Sequence, residues 1–212
     1  MSLNATNLAK TYGGKTIFSG FTGAFGPGLH LITGPSGAGK STLLRLIATA
    51  EAPSGGVLSW NGVALPRGRA ALREQLGYAP QAADLPDDLT AIELARYIAA
   101  LKKLKVGEAA AQFCAVADAI GLGGDVSGRI ATYSGGMRRR LITALALLGA
   151  PKLLALDEPL SELDADSAAA VTGLILAAAQ TATVVMTTHA AQALALHAAM
   201  ILRVANGSVT PA

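Results

Sequence analysis

One stretch constrains this chain more than any other: Gly34-Pro35-Ser36-Gly37-Ala38-Gly39-Lys40-Ser41-Thr42, the pattern G-x-x-x-x-G-K-S. Its glycines let the backbone bend until successive N–H groups point inward, which makes a concave cradle for an anion. A helix starting near Lys40 adds unpaired N–H groups and the positive end of its dipole to the same place. Lys40 brings a full positive charge to the β- and γ-phosphates of a nucleotide, and the Ser41 hydroxyl is a hard oxygen ligand suited to Mg²⁺. The flanks agree. Leu29–Thr33 reads as a strand entering the loop and Leu43–Ile47 as an amphipathic helix leaving it. A glycine-rich turn with a chance lysine would have neither flank.

Composition sets the bounds. A chain of 212 residues with 51% hydrophobic residues can bury a substantial core as one large domain or two associated subdomains. Lys and Arg total 17 against 14 Asp and Glu, an excess too small to argue for nucleic acid as a partner. The run Arg138-Arg139-Arg140 reads as a solvated or interface helix face. Cys114 is the only cysteine, so no internal disulfide or cysteine metal site forms, and its apolar surroundings make it a core residue. Met1–Lys10 lacks the basic start and apolar run of a secretory signal. Between Ser167 and Leu202 there is no Asp, Glu, Lys or Arg. Thr, Gly, Gln and His interrupt that stretch, so it reads as buried helix, strand, helix and strand rather than a membrane span, which needs about 20 continuous apolar residues.

Taken in order, Leu3–Leu8 is an opening strand. Thr16–Phe18 and Phe21–Phe25 suggest short antiparallel strands. Val57–Trp60 and Val63–Leu65 around Asn61-Gly62 carry a hairpin signal. Leu76–Ala79 is a buried strand. Helices are expected at 91–104, 107–120 and 137–148. Strands follow at 153–156 and 183–187 with a helix between them, then a short helix, a strand at 200–204, an Asn206-Gly207 turn and a polar tail. This alternation predicts a parallel sheet, and in such sheets ligands gather beyond the carboxyl ends of the strands. Four expected strands end in polar candidates: the phosphate loop after Thr33, Gln81 after Ala79, Asp157-Glu158 after Leu156, and His189 after Thr188. Four equivalent strand ends point to one site.

Two constellations sharpen that site. Asp157 and Glu158 end the apolar run Leu153–Leu156. The first acid suits metal and the second suits an attacking water, with side chains diverging as on an extended segment. Adjacent acids are common in turns, but here they close an apolar strand in a chain with a phosphate loop. Tyr133-Ser134-Gly135-Gly136-Met137 opens a helix, with Ser134 as its cap and two residues without side chains behind it, a second anion-binding end.

The order of these motifs resembles that of the ATP-binding subunit of ATP-binding-cassette (ABC) transporters over nearly the whole chain: phosphate loop, Gln81, Tyr133–Met137, Asp157-Glu158, Ser161-Glu162-Leu163-Asp164, His189. The resemblance implies an α/β fold, a P-loop NTPase cassette with a RecA-like core, a small antiparallel β subdomain and a helical subdomain. On this reading residues 1–212 form a single ATPase domain, with core at 1–83 and 151–212 and helical subdomain at 84–150. It implies ATP and Mg²⁺ as cofactors, with Ser41, Gln81 and Asp157 at the metal. It also implies that Tyr12 stacks on adenine, Gln81 senses metal and partner, Glu158 acts as general base, Asp164 lies in the loop crossing a dimer, and His189 meets the γ-phosphate. Two cassettes would close head to tail over two ATP molecules, the Ser134-Gly135-Gly136 signature of one facing the phosphate loop of the other.

The signature departs from the usual Leu-Ser-Gly-Gly-Gln. Tyr-Ser-Gly-Gly-Met followed by arginines is similar to cassettes of bacterial drug, polysaccharide and other ABC-2-type exporters, and the chain's size is similar to that of haem-exporter-type cassettes. The resemblance thus implies a cytoplasmic ATPase subunit, peripheral on the inner face of the cell membrane. Its partners would be a separate transmembrane permease, which it drives as an exporter, and a second cassette as a homodimer. Two other readings stay open: a soluble cassette ATPase outside transport, and a cassette that binds nucleotide without turnover.

Overall fold

The computed structural model describes residues 1–212. Its strands are β1 (Leu3–Tyr12), β2 (Lys15–Phe25), β3 (Gly28–Thr33), β4 (Gly55–Trp60), β5 (Val63–Ala64), β6 (Leu76–Ala79), β7 (Leu153–Asp157), β8 (Thr183–Thr187), β9 (Ala198–Ala205) and β10 (Ser208–Pro211). The helices are α1 (Lys40–Ile47), α2 (Arg69–Glu74), α3 (Ala91–Leu101), α4 (Val106–Ala119), α5 (Gly135–Ala146), α6 (Ala165–Ala179) and α7 (Ala191–Leu194). An antiparallel sheet runs β2-β1-β4-β5, and a larger sheet runs β10-β9-β3-β8-β7-β6. In the larger sheet every pair is parallel except β9 with β10.

The central strands β7 and β8 are buried along their whole length, β7 as a continuous apolar run up to Asp157, because both faces of the sheet are covered there. Side chains alternate between faces. Leu154 and Leu156 on β7, Val184 and Met186 on β8, and Leu29 and Leu31 on β3 enter one core, shared with α3 to α6. Leu153, Ala155, Val185 and Ile32 enter a second core with α1 and the antiparallel sheet. The same parity sends Asp157 and Thr187, which are register partners, to the α1 side at the carboxyl ends of their strands. The faces of the sheet are thus set by a period-two pattern, and the site is set by where that pattern turns polar.

Several elements differ from the sequence reading. β2 is one strand rather than two short ones, because it keeps pairing with β1 through shifts in register. The tail, read only as polar, forms β10, where Val209 pairs with Val204. Asn206 (φ 50°) and Gly207 (φ 75°) make the tight turn that allows it. α2 was not anticipated, since only Leu72 among its six residues is buried and one apolar residue leaves no periodicity. α6 is not enclosed: Val171, Ile175 and Ala179 are buried while its uncharged outer face meets solvent. Cys114 is half-buried against the larger core. No helix is long and apolar enough to cross a membrane.

The arginine run is not a solvated face. Arg139 is buried and donates from Nη1 to the Pro80 carbonyl at 3.2 Å. Arg140 donates to the carbonyls of Ile120 at 2.9 Å and Gly121 at 3.1 Å, and Arg138 pairs with Asp87 at 2.6 Å. The three side chains tie α5 to three separate segments.

Candidate functional site

The four strand ends meet. A cavity of about 220 Å³ is lined by Ser36, Gly37, Gly39, Lys40, Ser41 and Thr42 of the loop after β3, by Gln81 after β6, Glu158 after β7 and His189 after β8, with Ile17 on its rim. The loop needs its glycines for space as well as conformation. At Gly34 (φ 136°) a Cβ would lie 2.1 Å from the Val204 carbonyl oxygen, and at Gly39 (φ 108°) 2.5 Å from Ile17 Cγ2. Gly39 starts α1 without any side-chain cap, which leaves the first N–H groups of the helix to the cavity. Lys40 is buried, and its ammonium donates to the Gly34 carbonyl at 2.9 Å and the Pro35 carbonyl at 3.1 Å. Ala38 N–H also donates to the Pro35 carbonyl, at 3.3 Å, so the loop is braced from inside.

Behind the loop, Ser41 Oγ donates to Asp157 Oδ1 at 3.1 Å across 116 residues of chain. Glu158 is buried, with Oε2 accepting from the His189 backbone N–H at 3.2 Å and Oε1 buried with no hydrogen-bond partner. Glu158 is not extended as expected. At φ 50° it is left-handed, so the chain leaves the sheet there and its carboxylate turns into the cavity instead of the opposite core. The His189 ring is largely exposed, with Nε2 3.4 Å from Glu158 Oε1.

Ser41 Oγ and Asp157 Oδ1 are adjacent hard oxygens, and no cluster of three or more His, Cys, Asp or Glu stands ready to hold a metal. That is the donor set of a cation bound through one or two protein oxygens, waters and substrate phosphates. The residues fit Mg²⁺.

The signature lies elsewhere. Ser134 caps α5, its hydroxyl accepting from the Met137 N–H at 3.2 Å. Gly135 lines a second cleft of about 260 Å³ with Gln81, Arg138, Arg139 and Glu162. None of Ser134, Gly135 and Gly136 lines the phosphate cavity, whereas Gln81 lines both. Asp164 caps α6 through Ser167, whose N–H and hydroxyl both donate at 2.8 Å, and the backbone hydrogen bond is the first cause of its lowered pKa. Tyr12 is exposed and outside the cavity lining. Its hydroxyl donates to Glu51, and the Lys10 ammonium sits 4.7 Å above its ring. Burial opposes ionisation of Glu51, but hydrogen bonds from Tyr12, Lys10 and Arg45 outweigh it and hold the carboxyl below its ordinary range. Arg45 also reaches Thr42 Oγ1 at 3.2 Å, which connects Tyr12 to the phosphate-loop helix. Sequence reasoning missed Arg139 and Thr187. The second has a faint signal, a polar residue closing an apolar strand two positions before His189.

The chain is similar in sequence and fold to known proteins. The chain is 34% identical over 166 residues to the linearmycin resistance ATP-binding protein LnrL of Bacillus subtilis, covering 78% of this chain and 53% of that one. It is 35% identical over 192 residues to the cytochrome c biogenesis ATP-binding export protein CcmA of Nitrosomonas europaea, covering 88% of each. It spans about half the length of LnrL and of the Nod factor export ATP-binding proteins it also matches. A solved ATP-binding subunit of an ABC transporter superposes with a TM-score of 0.90 at 25% identity, over 100% of this chain and 90% of that one. Residues 27–161 match the model of the ABC transporter family, and the chain belongs to that family.

Proposed function

We propose that the chain is the ATP-hydrolysing subunit of an exporter, working as a head-to-tail pair with a second cassette and driving a separate membrane partner. The observation that carries this reading is the convergence of the phosphate loop, Gln81, Glu158 and His189 on one cavity. The export ATP-binding proteins among its relatives support the direction of transport.

In this mechanism the loop N–H groups and the α1 N-terminus hold the phosphates. Lys40 exchanges the Gly34 and Pro35 carbonyls for phosphate oxygens. Ser41 and Asp157 would hold Mg²⁺, with Gln81 at its edge, and the cation would supply charge neutralisation on the phosphate oxygens. Glu158 Oε1, which lies 3.4 Å from His189 Nε2, takes the proton of the attacking water. The water oxygen bonds to the γ-phosphorus, the bond to the β-phosphate oxygen breaks, and ADP and phosphate leave. His189 fixes Glu158 through its N–H and turns its ring to the γ-phosphate. Tyr12 stacks on adenine, and Asp164 stands at the dimer seam. Ser134, Gly135 and Gly136 serve the nucleotide of the second cassette, which their separation from this chain's own cavity supports. Residues 84–150 act as a helical subdomain on the core formed by 1–83 and 151–212, and with the Gln81 loop receive the membrane partner. The subunit then sits on the inner face of the membrane through that partner.

Phosphate release from ATP by the purified chain, with a pull-down from native membranes, is the test. Turnover and a co-purified membrane protein are expected. Binding without turnover would make it a regulatory cassette, and turnover without a membrane partner a soluble one.

A further inference from the structure

Thr187 ends β8 with no exposed surface, and its hydroxyl is committed twice. It lies opposite Asp157 in the parallel register, on the same face. A carboxylate only accepts, so the hydroxyl proton goes to Asp157 Oδ1, 2.6 Å away. That length is typical of a charge-assisted O–H···O⁻ bond. The oxygen lone pair then accepts the Glu158 backbone N–H at 2.9 Å. One buried hydroxyl therefore grips both members of the acidic pair.

Each contact has a specific consequence. Glu158 is left-handed at φ 50°, a conformation that persists only where the surroundings enforce it. The Thr187 oxygen is the acceptor that holds its N–H in that turn, and the turn aims the carboxylate into the cavity. Asp157 Oδ1 accepts from both Ser41 and Thr187. When the Ser41 hydroxyl is drawn into metal binding, Thr187 remains to fix the Asp157 rotamer.

We infer that Thr187 is a positioning residue that orients Asp157 for metal and Glu158 for the attacking water, an inference that rests on the ATPase reading above. Thr187→Val keeps the volume and branching and removes the hydroxyl. Its turnover should fall roughly 10–100-fold, the range for residues that orient a metal ligand. ATP affinity by calorimetry should match wild type without Mg²⁺, while the gain in affinity on adding Mg²⁺ shrinks. Thr187→Ser should recover most of the turnover. Should the valine variant not fold, Thr187→Cys, a weak donor of similar size, takes its place with the same expectation. Glu158→Gln runs alongside. An inactive Glu158→Gln beside a folded Thr187→Val or Thr187→Cys at wild-type rate overturns the role of Thr187 alone. A serine variant as slow as the valine variant also overturns it, because the methyl group then matters and the hydroxyl does not. Glu158→Gln at wild-type rate would instead remove Glu158 as the base that Thr187 is inferred to orient, and absence of ATP turnover by the unmodified protein would remove the ATPase reading on which the inference rests.

Discussion

His189 and Glu158, at the ends of neighbouring parallel strands, are joined twice: the His189 N–H donates to Glu158 Oε2 at 3.2 Å, and its ring Nε2 lies 3.4 Å from Oε1. Glutamine at 158 keeps the shape and a carbonyl acceptor but cannot take a proton. Glu158→Gln is expected to lose roughly 10²–10⁴ of the ATP turnover, the usual range for a general base. It also removes a negative charge near the γ-phosphate. ATP that binds only the closed pair then stabilises it by mass action. Size-exclusion chromatography with light scattering should show a monomer without nucleotide and a dimer with ATP and Mg²⁺.

Lys40 rests on the carbonyls of its own loop, at 2.9 and 3.1 Å, which places it to meet an incoming triphosphate. Lys40→Ala should lose about 2–5 kcal/mol of ATP binding, the cost of removing one partner of a desolvated charge pair. Far-ultraviolet circular dichroism should remain native. Calorimetric titration reads the loss, and near-wild-type affinity would take Lys40 out of the site.

Ser134 does not line the phosphate cavity of its own chain, and its neighbour Gly135 lines a separate cleft. Ser134→Arg should therefore spare ATP binding to the monomer and stop turnover, because a bulky cation there blocks closure of the pair. Binding and hydrolysis are measured in parallel. Loss of both in a folded variant would mean that signature and phosphate loop share one site within one chain.

His30 supplies a pH dependence. Burial lowers its pKa, against the opposing hydrogen bond to the Gly26 carbonyl at 2.8 Å. Nε2 carries the proton for that bond, and Nδ1 is buried without a partner. Below about pH 6.5, the value for an unperturbed imidazole, the unfolded chain takes up a proton that the folded protein does not. Stability contributed by neutral His30 is thus full above that pH and declines as pH falls through it. His30→Gln keeps a donor and cannot ionise, so its melting temperature should drop less than that of wild type between pH 7.5 and 5.5.

Thr90 caps α3 in a reciprocal box: the Glu93 N–H donates to Thr90 Oγ1 at 3.2 Å, and the Thr90 N–H donates to Glu93 Oε2 at 2.9 Å. Thr90→Ala should cost about 1 kcal/mol in urea unfolding. The Thr90 backbone hydrogen bond is the first cause holding the Glu93 carboxyl below its ordinary range. Its share of the stabilisation is present at neutral pH and lost as pH falls through that lowered pKa, so the difference between variant and wild type should narrow in acid.

Much of this protein was legible in the chain because its signals are local. The strand–loop–helix around Gly34–Thr42, the cap at Ser134 and the Asn61-Gly62 turn each depend on residues a few positions apart. The unbroken apolar run Leu153–Leu156 already implied a strand buried on both faces. Even the meeting of four strand ends followed from the α/β pattern, since parallel strands point their carboxyl ends the same way.

Tertiary structure alone decided what depends on pairing distant segments. Ser41 meets Asp157 across 116 residues, and Thr187 meets Asp157 across 30, contacts that leave no periodicity in either segment. Val209 became a strand because Val204 lies beside it. Arg139, a surface residue by its charge, is buried and donates to the Pro80 carbonyl 59 residues away. Glu158 turns into the cavity in a left-handed conformation that glutamate does not favour by itself, its N–H bonded to the Thr187 hydroxyl and its carbonyl to Ser161.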